Sequence, residues 1–171
     1  LILGSAYIAP WHYCDPRGIR AISTIGDLAF DPETVPEARA AAFRAELYSN
    51  LVIRRRSRYF QPEERMKVPP GCIAVFLQTE AHRGVAETCY LRLRPMIKAL
   101  LARDDPRPIV VKPHPRDTDI DTFDWLARKA RRDGRLRLLP ANIHDILAAC
   151  AVVVTINSAV GIEAMVHGKP A

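Results

Sequence analysis

Apolar positions in the second half of the chain fall into two alternating patterns. Short runs of aliphatic and β-branched residues occupy 73–78, 109–112, 136–139 and 152–156. Between them, apolar residues recur three and four apart, the helical period. Residues 87–103 carry Tyr90, Leu93, Ile97, Leu100 and Leu101 on one predicted helical face. Residues 121–132 carry Phe123, Leu126 and Ala130, with Asp133-Gly134 as the predicted C-cap. A short helix is predicted over 143–150, and another over 158–167 behind a polar cap at Asn157-Ser158. Strand and helix alternating at these lengths predict an α/β fold: a Rossmann-like parallel sheet flanked by helices.

The first part of the chain lacks that rhythm. Residues 1–3 predict a short strand, after which Pro10, Pro16, Pro32 and Pro36 interrupt any long element. Residues 36–56 predict a helix, with Pro36 near its first turn, Glu37 behind it and alanines throughout. Residues 61–71 are polar and proline-containing, a linker. The expected organisation is an irregular and helical segment with its linker over 1–71, then a Rossmann-like domain over 72–171. Gly168-Lys169-Pro170-Ala171 falls where a further strand is due, so the domain is expected to be incomplete at its C-terminus and to belong to a larger protein. A partner domain would then cover the sheet edge.

Charge adds a second layer. The net charge is +6, with basic clusters at Arg54-Arg55-Arg56-Ser57-Arg58 and at Arg128-Lys129 and Arg131-Arg132. Such clusters are solvated faces or attract anionic lipid headgroups and polyanionic substrates. Nucleic acid is not expected, because the few aromatics do not interleave with the basic residues. Cys14, Cys72, Cys89 and Cys150 are widely spaced and form no CxxC pair, which predicts reduced thiols and no structural zinc. No run is long enough to span a bilayer and no signal peptide is visible. A cytoplasmic protein follows, peripheral at most at the inner face of the plasma membrane.

In parallel sheets of this kind, ligands bind beyond the carboxyl ends of the strands. Three predicted strand ends carry chemistry. After 109–112 comes Lys112-Pro113-His114-Pro115-Arg116, where two prolines hold His114 stiffly between cationic neighbours. An imidazole N–H and an ammonium there can hold a phosphate or stabilise a departing one. After 152–156 come Asn157 and Ser158, which can cap a helix or bond a phosphate. Glu163 follows in an otherwise apolar helix, suited to accept from a ribose diol, with Gly161 beside it for close approach. After 73–78 the chain reads Gln78-Thr79-Glu80-Ala81-His82, where Glu80 is a candidate base or nucleophile with His82 as partner. His144, preceding Asp145, is expected to cap its short helix. Neither a dinucleotide fingerprint nor a Walker loop is present.

KPHPR at 112–116, NIHDILAAC at 142–150 and TINSAVGIEAMVHGKPA at 155–171 together resemble the bacterial capsule polysaccharide biosynthesis proteins, notably their Kdo transferases. Asp15-Pro16-Arg17-Gly18-Ile19 and Arg56-Ser57-Arg58-Tyr59 resemble the family more loosely. The resemblance implies a GT-B glycosyltransferase, two Rossmann-like domains with the C-terminal one binding a CMP-activated sugar. His114 and Pro115 fall on the family's HP motif, which contacts the nucleotide phosphate. Ser158 and Glu163 fall on its SxxxxE pattern, at phosphate and at ribose or base. Its catalytic QxDxS motif corresponds to Gln78–His82, with Glu80 for Asp and His82 for Ser. The implied donor-site set is thus Lys112, His114, Pro115, Arg116, Asn157, Ser158 and Glu163, with Glu80 and His114 as catalytic candidates and Gln78 and His82 beside them. No metal or cofactor is expected, since protein cations can neutralise the one phosphate of CMP. Expected partners are the nucleotide-sugar donor, a glycolipid or polysaccharide acceptor, capsule assembly proteins and the remaining GT-B domain. Two other readings stay open: a teichoic-acid-type polymerase using CDP-glycerol, and a non-catalytic nucleotide-binding module in a capsule assembly complex.

Overall fold

A computed structural model describes residues 1–19, 22–78 and 91–171. Four parallel strands form the central sheet: β3 (Ile73–Phe76), β4 (Ile109–Lys112), β5 (Leu136–Leu138) and β6 (Val152–Val154). Their spatial order is β5-β4-β3-β6. The chain winds outward from β3 through β4 to β5, then returns to the other side of β3. That order is the first half of a Rossmann sheet, and it puts the reversal of winding between β3 and β6, where such folds open a crevice.

Alternation along the strands fills two cores. Ile73, Val75, Ile109 and Val111 point to one face and meet Leu93, Met96 and Ile97 of α2 (Leu93–Leu101) and Leu126 of α3 (Ile120–Arg132). Cys72, Ala74, Phe76, Val110 and Val153 point to the other, against α4 (Ile143–Ala149) and Ala164 of α5 (Val160–Val166). Both faces are covered, as a parallel sheet requires. Beyond β6, the Val153 N–H donates to the Pro170 carbonyl at 2.9 Å, so the chain after α5 runs beside the sheet edge.

The first part of the chain forms an antiparallel pair, β1 (Ile2–Ser5) and β2 (His12–Asp15), then two single 3-10 turns, then α1 (Glu37–Leu47), which continues as a π-helical stretch, Tyr48–Ile53. The predicted helix over 36–56 is therefore present in two windings. No residue from 22 to 46 is buried. Asp15, by contrast, is 1% exposed and accepts from the Arg17 and Gly18 N–H groups through Oδ1, and from the Ser23 hydroxyl and the Thr24 N–H and hydroxyl through Oδ2. The Ser23 hydroxyl and the Gly18 N–H lead in holding its carboxyl well below the usual range. The loosely matching DPRGI motif is thus a turn organised around one carboxylate.

Several predicted boundaries move, each for a physical reason. α2 starts at Leu93 rather than in a helix from 87; Leu91 and Arg92 are not helical. Pro95 explains this, since a continuous helix would hold it in the interior, whereas here it lies in the first turn, where its missing N–H costs nothing. α3 is capped by Asp119, whose carboxylate accepts from the Thr122 N–H, and ends at Asp133; Gly134 does not adopt the left-handed cap conformation. That conformation belongs instead to Gly71 and Gly168 (φ 68° each) and to Arg55 (φ 51°). The last helix begins at Val160 rather than 158.

Candidate functional site

β3 and β4 end side by side at the crevice, and the loop after β6 closes it. There a cavity of about 50 Å³ is lined by Lys112, His114 and Ser158 from the sheet domain and by Tyr7, Ser57 and Tyr59 from the first part of the chain. The three predicted phosphate-site residues are therefore neighbours. His114 Nδ1 accepts from the Arg116 N–H at 3.1 Å, which leaves the neutral ring's proton on Nε2. The Tyr59 and His114 rings meet in a T-shaped contact at 5.0 Å, and the Arg116 guanidinium lies over the Tyr59 ring at 5.1 Å. The Pro-His-Pro stiffness seen in sequence is thus reinforced by an aromatic wall.

Lys112 and Ser158 do less of what was expected of them alone. Lys112 Nζ donates to the Ala141 carbonyl at 2.6 Å, and burial lowers its pKa. An ammonium has three protons, so this bond anchors the side chain without exhausting it. Ser158 is not the N-cap, which is Ala159. The Ser158 hydroxyl accepts from the Val160 N–H at 3.4 Å, while the Gly161 and Ile162 N–H groups bond the Ser158 and Ala159 carbonyls. The helix start is consequently self-satisfied, and the expected anion cradle of helix N–H groups is absent from α5. Asn157, Pro115 and Arg116 are exposed around this rim. A Cβ on Gly161 would meet nothing within 4 Å, so no packing contact demands glycine there.

Glu163 is the most unusual residue of the site. It is 1% exposed, although α5 was expected to present it to a ligand. Its Oε1 accepts from the Tyr7 hydroxyl at 3.0 Å and the Ser57 hydroxyl at 2.9 Å. Its Oε2 is buried with no partner among the described residues. Burial pushes the carboxyl up, against the pull of the two hydroxyls, and burial followed by the adjoining Glu163 charge pushes the Tyr7 phenol up as well. An orphaned buried oxygen is costly and points to a missing partner. Glu163 lines a second cavity of about 520 Å³, together with Tyr7, Trp11, Asn50, Ser57 and Arg58. Tyr7 and Ser57 wall both cavities, so the two spaces adjoin across them.

Ser57 and Tyr59 were not singled out as site residues from sequence, and Tyr7 was not noticed at all. Residues 54–61 form a strap across the site in which burial alternates. On the inward side Arg55 pairs with Asp145 at 3.0 Å, Ser57 bonds Glu163, Tyr59 packs on His114, and Gln61 Oε1 accepts from the Ile143 N–H. The signal was a polar and an aromatic residue set at alternate positions in an arginine run. His144 does not cap α4; the Asn142 side chain does, through the His144 N–H. His144 is buried, its Nε2–H donating to the Arg56 carbonyl at 2.8 Å while Nδ1 accepts from His167 Nε2 at 3.0 Å. Gln78 Oε1 is buried without a partner among the described residues, and Glu80 and His82 lie outside them.

This arrangement has a match in sequence. A family model described as "Capsule polysaccharide biosynthesis protein" matches residues 48–171, from the π-helical stretch through the strap to α5. The chain belongs to the capsule polysaccharide biosynthesis protein family. No curated protein matches it. The matched region holds the strap and both sequence motifs, while Tyr7 and the Asp15 turn precede it. No helix among the described residues is long and apolar enough to cross a membrane, and no group of three or more His, Cys, Asp or Glu side chains among them is arranged to hold a metal.

Proposed function

We propose that this member of the capsule polysaccharide biosynthesis family is a glycosyltransferase that takes a sugar, Kdo, from its CMP-activated form and adds it to a glycolipid or polysaccharide acceptor. The observation that carries the reading is the pairing of two adjoining spaces at the winding reversal of a Rossmann-like sheet. One is bordered by Lys112, His114 and Ser158, the other by a buried carboxylate with an unused oxygen. A nucleoside monophosphate has the matching halves. Its phosphate suits the cationic and hydroxyl donors, and a ribose hydroxyl or base N–H suits Glu163 Oε2.

In the reaction the acceptor hydroxyl attacks the anomeric carbon, the bond from that carbon to the phosphate oxygen breaks, and CMP departs with the electron pair. The acceptor proton goes to a carboxylate base, for which Glu80 is the candidate. His114 Nε2–H and the Lys112 ammonium stabilise the charge that grows on the leaving phosphate. Partial burial of Lys112 strengthens such interactions relative to open water and also lowers its pKa.

The test is a titration of the chain with CMP, CDP, UDP and GDP, alongside His114→Ala and Ser158→Ala. CMP is expected to bind preferentially, and loss of the His114 donor to weaken it about tenfold or more, as for a hydrogen bond to a charged group. Transfer from CMP-Kdo completes the assignment. A preference for CDP would move the assignment to a CDP-alcohol polymerase, and binding unaffected by either substitution would remove the phosphate from this site.

A further inference from the structure

The strap also has an outer side. Arg54, Arg56, Arg58 and Phe60 are exposed at the positions between those that lock inward, Phe60 to 86%. The side chains of Arg54 and Arg56 make no hydrogen bond or ion pair among the described residues, and Arg58 spends one N–H on the Ala6 carbonyl at 3.1 Å. Arg55, turned inward, is the one arginine of the run held by a carboxylate among the described residues. Like charges at alternate exposed positions repel one another, which favours an anionic occupant. They edge a groove of about 510 Å³ whose floor includes Gln61, Pro62 and Asn142, with Glu63 its one acidic lining residue.

We propose that this groove binds the acceptor as an anionic glycan chain, its carboxylates or phosphates held by Arg54, Arg56 and Arg58. The inference rests on the transferase reading above and names the acceptor class and its site. Three features favour a glycan. A guanidinium fork matches a carboxylate or phosphate in two parallel hydrogen bonds, which a compact ammonium cannot do. The lining sets the polar side chains of Ser57, Gln61 and Asn142 beside the arginines, so sugar hydroxyls find partners next to the charges. Finally, Arg56, Ser57 and Arg58 wall both this groove and the cavity of Glu163. An acceptor held in this groove therefore borders the cavity proposed for the donor. The ring of Phe60 at the rim offers an apolar surface to the C–H face of a sugar.

The test uses short polysialic acid as the carboxylated probe, dextran as the neutral one, and phosphatidylglycerol vesicles as the lipid arm, all without nucleotide. Polysialic acid is expected to bind and dextran not. The triple variant Arg54→Gln, Arg56→Gln, Arg58→Gln is expected to weaken polysialic acid about a hundredfold, at roughly one surface-charge contact per arginine. A charge-matched triple on α3 (Arg128→Gln, Arg131→Gln, Arg132→Gln) is expected to bind as the native chain does. On the native chain, polysialic acid is expected to slow phenylglyoxal modification of Arg54, Arg56 and Arg58 but not of Arg131 and Arg132, a readout that needs no variant to fold. Equal weakening in both triples, protection on α3 instead, or vesicle binding without polysialic acid binding would each overturn the proposal. Nucleotide titration is separate, so loss of the donor reading and loss of this one are told apart.

Discussion

Glu163 is held in a position that favours its neutral form. One of its oxygens carries two hydroxyl donors and the other, also buried, has none among the described residues. Because burial raises its folded pKa above the unfolded value, the group is at its least costly below the unfolded pKa of about 4.3 and loses stability for the fold as pH rises through the folded one. Glu163→Gln keeps the shape and the acceptor for Tyr7 and Ser57 while removing the charge. This variant is expected to melt higher than the native chain at pH 7 to 8, with the gap closing towards pH 4, in scanning calorimetry. CMP binding should fall by about tenfold in the same variant, since the replaced oxygen is the one offered to the ligand. Stability and binding moving in opposite directions is the mark of a residue kept for function. Equal melting temperatures at every pH would mean that Glu163 is already solvated or paired.

At the scale of elements, α4 and α5 are stitched together by two imidazoles, and the stitch reaches the strap. His167 donates to His144, and His144 donates to the carbonyl of Arg56, the residue before Ser57. His144 must be neutral for this chain to run, because its Nδ1 accepts, and a neutral His167 suffices as the donor. Burial lowers both pKa values, that of His167 to about 4, with His144 and Lys169 adding to the shift. Arg55 also disfavours charge on His144, while Asp145 favours it. Unfolded histidines take up protons near pH 6.5, so below that pH the unfolded state gains protons the fold refuses. The native chain should therefore lose melting temperature steadily between pH 6.5 and 4, and His167→Gln should flatten that slope. The sheet elements were legible in sequence because β-branched runs and helical periods report burial locally; 109–112 is reproduced residue for residue. The strap was not, because its alternation is carried by arginines and polar residues rather than apolar ones and its meaning lies in partners far along the chain. Ser57 is 106 residues from Glu163, and Arg55 is 90 from Asp145. The expected cap at Ser158 shifted to Ala159 for a related reason: the sequence shows a polar residue before a helix, but not that the Gly161 and Ile162 N–H groups close on the Ser158 and Ala159 carbonyls, leaving the Ser158 hydroxyl only the Val160 N–H.

Across the whole molecule, the site joins the two ends of the chain. The hydroxyl of Tyr7, in the loop between β1 and β2, reaches Glu163 across 156 positions, and the matched family region begins only at residue 48. The motifs at 112–116 and 158–163 were enough to suggest a phosphate site, but the wall that completes it comes from a segment without periodicity. Nearly every residue between 22 and 46 is exposed, so few contacts tie the β1–β2 segment to the sheet domain apart from those at the site. Segments with few buried contacts open at low free energy, and a ligand that bridges them to a rigid domain closes them. Hydrogen exchange with and without CMP reads this directly. Bound CMP is expected to slow exchange in two segments distant in sequence, residues 5–12 and 55–61, while β3 and β4 change little because their amides are already protected in the sheet. Protection confined to 112–116 and 158–163 would show that the first part of the chain takes no part in binding, and that Tyr7 only props Glu163 in place.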